Sequence, residues 1–210
     1  MEFIERLMNN FHFNEPIFTN EILNLFSEYS DVYVFQMLKR ELDRKTIIQF
    51  SKGIYYLPIE TGCGLSNISA DDVVKKKYMF YKNEKFGIYS GLTLQNRMRL
   101  TTQMPMVLEI TTNNETSRKR EILLNGRRFI IRKSKCEITR DNINEYNILQ
   151  LIYDTNNNGY KEDKIKDAVR LYTSIYNIKK DILYKTANYF PSFVFKKDIN
   201  GEYLDEITFK

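Results

Sequence analysis

Along the first 58 residues the apolar positions fall into three helical runs and two strand-like runs. Phe3, Ile4, Leu7 and Met8 mix with Glu2, Glu5 and Arg6, which predicts an amphipathic helix over about 2–11. After a loop at 12–18, Thr19 is the expected N-cap of a second helix, 20–26, with apolar Ile22, Leu23, Leu25 and Phe26. Ile22 at the third position leaves that start without a capping box. Beyond the turn 27–30, Ser30 or Asp31 caps a third helix that runs to about Arg44. Its Val34, Phe35, Leu38 and Leu42 predict the packed face, and Tyr33, Gln36, Lys39, Arg40 and Asp43 the opposite one. The β-rich runs 47–50 and 54–57 flank Ser51-Lys52-Gly53 and predict a hairpin. A hairpin directly after a two-helix unit is the order of a winged helix-turn-helix.

The stretch 61–69, rich in Gly, Cys, Ser and Asn, breaks this pattern and predicts a division into domains 1–60 and 61–210. Ser69 is then the expected N-cap of a helix over 70–81, and a further helical stretch covers 90–99. Alternation and β-branched content predict a strand at 106–112. The runs 120–124 and 128–132 flank Asn125-Gly126, the strongest short hairpin signal in the chain. Helices are expected at 143–153, 164–176 and 178–189, with the polar tract Asn156-Asn157-Asn158-Gly159 between the first two and Pro191 ending the last. The fold class expected is α+β: an N-terminal winged helix-turn-helix followed by a mixed α/β domain that ends in helices.

Composition narrows the class without choosing a function. A chain of 210 residues with 42% hydrophobic residues can build a real core. No run approaches the roughly 18 apolar residues of a membrane span, and the N-terminus lacks the charged head and apolar run of a signal peptide. The expected location is the cytoplasm, with no membrane partner. Cys63 and Cys136 lie far apart, outside any CxxC pair, and are expected as reduced thiols. A net charge of +5 is compatible with nucleic acid but does not establish it.

Candidate chemistry is mostly binding chemistry. His12, the one histidine, stands between Phe11 and Phe13 and reads as structural. One histidine and two scattered cysteines do not compose a usual zinc site, and no GxxxxGK[ST] or GxGxxG loop is present, so neither metal nor cofactor is expected. One enzymatic alternative is a metal-dependent nuclease built on Glu109 and on Glu121 beside the hairpin arginines Arg127, Arg128 and Arg132. Glu109 lacks the lysine that such a motif places after it; the competing reading is a strand carboxylate paired with neighbouring arginines. The third helix and the hairpin instead carry Tyr33, Gln36 and Arg40 as base-reading candidates, and Lys39, Arg44, Lys45 and Lys52 as phosphate contacts. The alternative for the same residues is the solvated face of a protein-interaction adaptor. A second basic patch, Arg118, Lys119, Arg120, Arg127, Arg128 and Arg132 with Lys133, either extends the footprint or meets another acidic partner. Lys75, Lys76 and Lys77 are expected on a solvated helix face, and Tyr55, Tyr56 and Tyr89 in the core and at the domain junction.

Tyr89-Ser90-Gly91-Leu92-Thr93-Leu94-Gln95-Asn96, then Leu100-Thr101-Thr102-Gln103-Met104-Pro105 and the strand leading to Thr112-Asn113, resemble the AbiEi-type antitoxins of bacterial abortive-infection systems. Gly53-Ile54-Tyr55-Tyr56 is similar to that family's wing, and Ala187-Asn188-Tyr189-Phe190-Pro191 to its closing helix. Thr93 departs from the Ala or Ser common in the family. The resemblance touches most of the chain and is most specific at Thr101–Pro105. It implies an antitoxin, not an enzyme, that represses its own operon by binding double-stranded operator DNA at inverted repeats. It also implies a functional partner toxin of the nucleotidyltransferase class, with no stable complex required.

Overall fold

In the computed structural model, which describes residues 3–156 and 159–194, the amphipathic start of the chain forms α1 (Phe3–Asn10) and buries Leu7. The expected beginning of that helix at Glu2 lies outside the described residues. β1 (Ile17–Phe18), α2 (Thr19–Leu25), α3 (Asp31–Asp43), β2 (Ile48–Ser51) and β3 (Ile54–Tyr56) follow. The three strands make an antiparallel sheet in the order β1-β3-β2, with Ile17 opposite Tyr55 and Ile48 opposite Tyr56. The register shifts between Gln49 and Ser51, a bulge beside the turn where Gly53 takes φ +76°. Leu7, Ile17, Ile22, Phe26, Val34, Leu38, Ile47 and Leu57 form the core, each fully buried side chain contributing about 1.5–3 kcal/mol.

Three local expectations are corrected here. The segment 12–18, expected as loop, contains β1, which is too short to show a period of two. Thr19 is not the N-cap of α2: Phe18 holds that place, and Glu21 reaches back to accept its N–H at 2.8 Å. Thr19 is instead drawn to the β2–β3 turn, its N–H and its hydroxyl both donating to the Gly53 carbonyl, at 3.0 and 3.2 Å. On α3, Val34 and Leu38 are buried as expected, but Phe35 is 44% exposed and Glu41 only 7%. The packed sector is narrow and centred on Val34, Leu38 and Glu41, so Phe35, about 100° from Val34, falls on its rim. Glu41 tolerates burial because Thr46 Oγ1 donates to its carboxylate at 2.6 Å and Arg44 pairs with it at 3.1 Å.

The first compact unit continues beyond residue 60 to Lys76. A small antiparallel pair, β4 (Glu60–Thr61) and β5 (Gly64–Leu65), occupies the stretch expected as a boundary loop. Tyr56 Oη donates to the Ser66 carbonyl at 3.0 Å and Ser66 N–H to that of Ile59 at 2.9 Å, so the segment folds back on the sheet. α4 (Ala70–Tyr78) starts with Ser69 and Asp72 bonded reciprocally, each backbone N–H donating to the other's side chain at 3.2 Å. Contrary to the solvated reading of Lys75–Lys77, Lys76 is buried. Its Nζ donates to Glu15 at 2.8 Å and to the Pro16 carbonyl at 2.6 Å, pairs with Glu21 at 2.9 Å, and lies over the Phe11 and Phe18 rings. Helical spacing on α4 carries no sign of this, because every partner lies some sixty residues away.

The second unit, Lys77–Lys210, takes over inside the last turn of α4, which stops at Tyr78, three residues before the expected end, because Phe80 and Tyr81 are claimed by a hairpin. That hairpin is β6 (Phe80–Tyr81) with β7 (Glu84–Lys85). β8 (Gly87–Tyr89), α5 (Gly91–Arg97), β9 (Leu108–Thr112), β10 (Arg120–Leu124) and β11 (Arg127–Lys133) lead to a four-stranded sheet in the order β10-β11-β9-β8. The β10–β11 hairpin turns on Asn125 (φ +47°) and Gly126 (φ +78°), the doubly left-handed pair of a type I′ turn. β11 then lies parallel to β9, with Thr111 opposite Arg132. α6 (Ile143–Thr155), α7 (Glu162–Ile175) and α8 (Lys180–Ala187) complete the described chain. α6 is apolar nearly all round: Tyr146, Ile148, Leu149, Leu151 and Ile152 are all buried, against Ile88, Leu94, Ile165, Val169 and Leu183. The chain is therefore mixed α+β. No helix among the described residues is long and apolar enough to cross a membrane. Asn157 and Asn158 of the polar tract lie outside the described residues. Both cysteines are free thiols.

Candidate nucleic-acid interface

α3 displays its candidates because its first and last turns are locked. Ser30 Oγ accepts the Tyr33 N–H at 3.4 Å as N-cap. At the other end Lys45 N–H donates to Leu42 O and Thr46 N–H to Glu41 O, a Schellman exit with Lys45 at φ +59°. With Val34 as the buried reference, Lys39, Gln36, Arg40 and Tyr33 lie at roughly 140°, 200°, 240° and 260° around the helix, and all four are exposed. The structure thus gathers Tyr33, Gln36, Lys39 and Arg40 on one wet face. Arg44 is exposed but tied to Glu41 at 3.1 Å, and Lys45 sits past the helix end. Lys52 is exposed on the β2–β3 turn. Tyr29, Val32 and Phe35 are exposed as well, and the Tyr29 and Tyr33 rings meet at 5.2 Å.

Charge is divided unevenly along the chain. Residues 1–76 hold eight Lys and Arg against eleven Asp and Glu, a formal −3, so residues 77–210 carry +8. The cations of α3 and its hairpin are therefore a local feature of a unit that is acidic as a whole.

In the second unit the basic patch divides. Arg120 is engaged, by Glu115 and by Tyr78 Oη at 2.8 and 2.9 Å, and Lys119 pairs with Glu121 at 3.3 Å. Arg118, Arg127 and Arg128 are exposed, whereas Arg132 is half-buried and ion-paired with Glu109 at 2.9 Å. Glu109 thus stands against an arginine, and among the described residues no group of three or more His, Cys, Asp and Glu is arranged to hold a metal ion.

Around this ion pair lies a polar centre that the sequence reading missed. Gly91, at φ +56°, lies so close to Glu109 that an added Cβ would come within 2.3 Å of its carboxylate. Ser90 N–H donates to Glu109 O at 2.9 Å, Glu109 N–H to Thr93 Oγ1 at 3.2 Å, and Gly91 N–H to Asp154 Oδ2 at 2.6 Å. Gln150, one turn before Asp154 on α6, donates to Asp154 Oδ1 at 2.8 Å. Burial pushes the Asp154 carboxyl up to about 6, against these two hydrogen bonds. Lys135 Nζ sits 3.6 Å from the Tyr153 ring centroid; burial holds the amine below the usual lysine range, and Arg132 and Arg118 act in the same direction. Asn113 ties the exit of β9 to the chain after β11, accepting from Ser134 Oγ and Ile138 N–H and donating to Ile138 O. A signal for Gln150 and Asp154 did exist: they are polar residues at i, i+4 in the mostly apolar second half of α6. Nothing local points to Lys135. Against models of known protein families the chain gives no match, and against curated proteins none either.

Proposed function

We propose that the chain is a DNA-binding transcriptional repressor whose first unit is a winged helix-turn-helix, acting as the antitoxin of an AbiEi-type abortive-infection pair. The observation that carries this reading is the exposed face of α3, where Gln36 and Arg40 stand side by side on the second helix of a tight pair. The β2–β3 hairpin follows at once with Lys52 on its turn. Gln and Arg are side chains suited to adenine and guanine edges in the major groove, and Lys39, Lys45 and Lys52 supply phosphate contacts. On this reading the operator is double-stranded DNA with inverted repeats, the location is cytoplasmic, and a nucleotidyltransferase-class toxin is opposed without a lasting complex. The test is a mobility-shift titration of the purified chain on its own upstream DNA and on scrambled DNA at two salt concentrations. A preference of about a thousandfold that falls steeply with salt is expected. Equal, weak binding to both would refute it.

A second reading rests on its own observation. Tyr29, Val32, Tyr33 and Phe35 are each exposed on an acidic unit, and the Tyr29 and Tyr33 rings meet, which is the composition of a protein contact. In this reading the first unit is an adaptor that never touches DNA, and the same titration decides between the two.

A further inference from the structure

Thr111 and Arg132 are register partners on β9 and β11, and they line a cleft of about 720 Å³ together with Gln150 and Asp154 of α6. Three more cations, Arg118, Lys133 and Lys135, line the same cleft. We propose that this cleft binds a phosphate ester of nucleotide size. The inference is independent of the DNA-binding reading of the first unit.

Volume is the first argument: about 720 Å³ falls in the range of small-molecule sites, roughly 300–1,000 Å³. Charge is the second. Four cations converge on one cleft against Asp154, and Glu109, the carboxylate nearest to Arg132, takes up only part of that guanidinium's five-donor fork. Burial holds the Lys135 amine below the usual lysine range; Asp154 opposes that shift, and Arg132 and Arg118 add to it, so this one carboxylate faces several cations at once. A phosphate dianion is the counter-charge that such a cluster accepts, bidentate on arginine and as a point contact on lysine.

The third argument separates a small ligand from the backbone of a duplex. Thr111 is 2% exposed and Gln150 1%, so they form the floor of the cleft, and Thr111 Oγ1 and Gln150 Oε1 have no hydrogen-bond partner among the described residues. Buried polar atoms without partners are uncommon and call for an explanation. Gln150 Oε1 is an acceptor and requires a donor from the ligand, such as a sugar hydroxyl or an amino group. A fully ionised phosphate or a backbone diester offers none, and a duplex presents its phosphates on a convex surface that does not reach a floor.

The test is calorimetric titration of the full chain with ATP, AMP, inorganic tripolyphosphate and a random 12-base-pair duplex. ATP and AMP are expected to bind saturably at one site, and tripolyphosphate at least tenfold more weakly than ATP. The double variant Arg118→Ala/Lys133→Ala, both at exposed positions, should lose tenfold or more in ATP affinity with an unchanged melting profile. Lys185→Ala, on α8, should lose nothing. Thr111→Val removes only the unpartnered hydroxyl, so it should weaken ATP several-fold without loss of stability. No saturable binding of ATP or AMP up to millimolar concentration would overturn the proposal. So would equal affinity for ATP and tripolyphosphate, displacement of ATP by the duplex, or full ATP affinity in both cleft variants.

Discussion

Lys76→Ala removes an ammonium that Glu15, Glu21 and the Pro16 carbonyl share inside the first unit. The lysine side chain is 8% exposed and its carboxylate partners 18% and 19%, so the variant leaves two like charges facing each other with little water. Breaking a buried ion pair by deleting one partner costs about 3–5 kcal/mol. The remaining exposure of the glutamates places this case near the lower end, about 3 kcal/mol, with the stem's contact to the Phe11 and Phe18 rings included. With two compact units a single melting curve mixes transitions, so the assay is native-state hydrogen exchange read segment by segment. Amides of α1, α2 and α3 should lose roughly a hundredfold in protection, while those of α6 stay as they were. The triple variant Glu15→Gln/Glu21→Gln/Lys76→Met should recover most of the loss, because neutral groups of similar volume replace buried charge at little cost. A loss below about 1 kcal/mol in Lys76→Ala, or no recovery in the triple variant, would refute the electrostatic account.

Three further outcomes are expected. Arg40→Ala should cost about 1–3 kcal/mol on the operator and relax discrimination, whereas Lys52→Ala should weaken operator and random DNA alike and lower the salt slope by about 1; mobility shifts at several salt concentrations read both. Gly91→Ala should destabilise the second unit by roughly 2–3 kcal/mol in urea unfolding, since a left-handed alanine adds its strain to loss of the Glu109–Arg132 geometry; an unchanged midpoint would count against the close approach. Asp154 has its folded value raised from 3.8 to about 6, so the stability it confers is full below pH 4 and is lost as pH rises through 6. The stability of Asp154→Asn relative to wild type should therefore rise by up to about 3 kcal/mol between pH 4 and 8, and a difference flat with pH would contradict the shift.

What the sequence disclosed follows the range of each interaction. The I′ turn at Asn125-Gly126, the α3 cap at Ser30 and the three C-terminal helices are local, set by residues within a turn of one another, and each was readable. β1 was not, because two residues have no period and Ile17 is specified by its partner Tyr55. Lys76 looked solvated because the carboxylates that bury it come from a distant loop and helix. The candidate face of α3 was legible as a helical stripe, apart from Phe35 at its rim. The cleft of the second unit was not, because β9, β11 and α6 supply it from positions 111 to 154 and its parallel strand pair leaves no hairpin signal.

The separation of charge bears on how a repressor of this design would work. Non-specific affinity for DNA grows with the number of phosphates neutralised. A first unit at −3 contributes a few local cations against an overall repulsion, and the +8 lies in residues 77–210. On the reading proposed above, base discrimination then resides in Gln36 and Arg40, while much of the long-range attraction resides in the other unit. A ligand that occupies the cleft with two or more negative charges would cancel part of that attraction. It would lower affinity for operator and random DNA by similar modest factors, a long-range effect distinct from displacement of nucleotide at the cleft, and the ratio between them would stay constant. Loss of the ratio itself on adding nucleotide would mean that the two units do not act in this additive way.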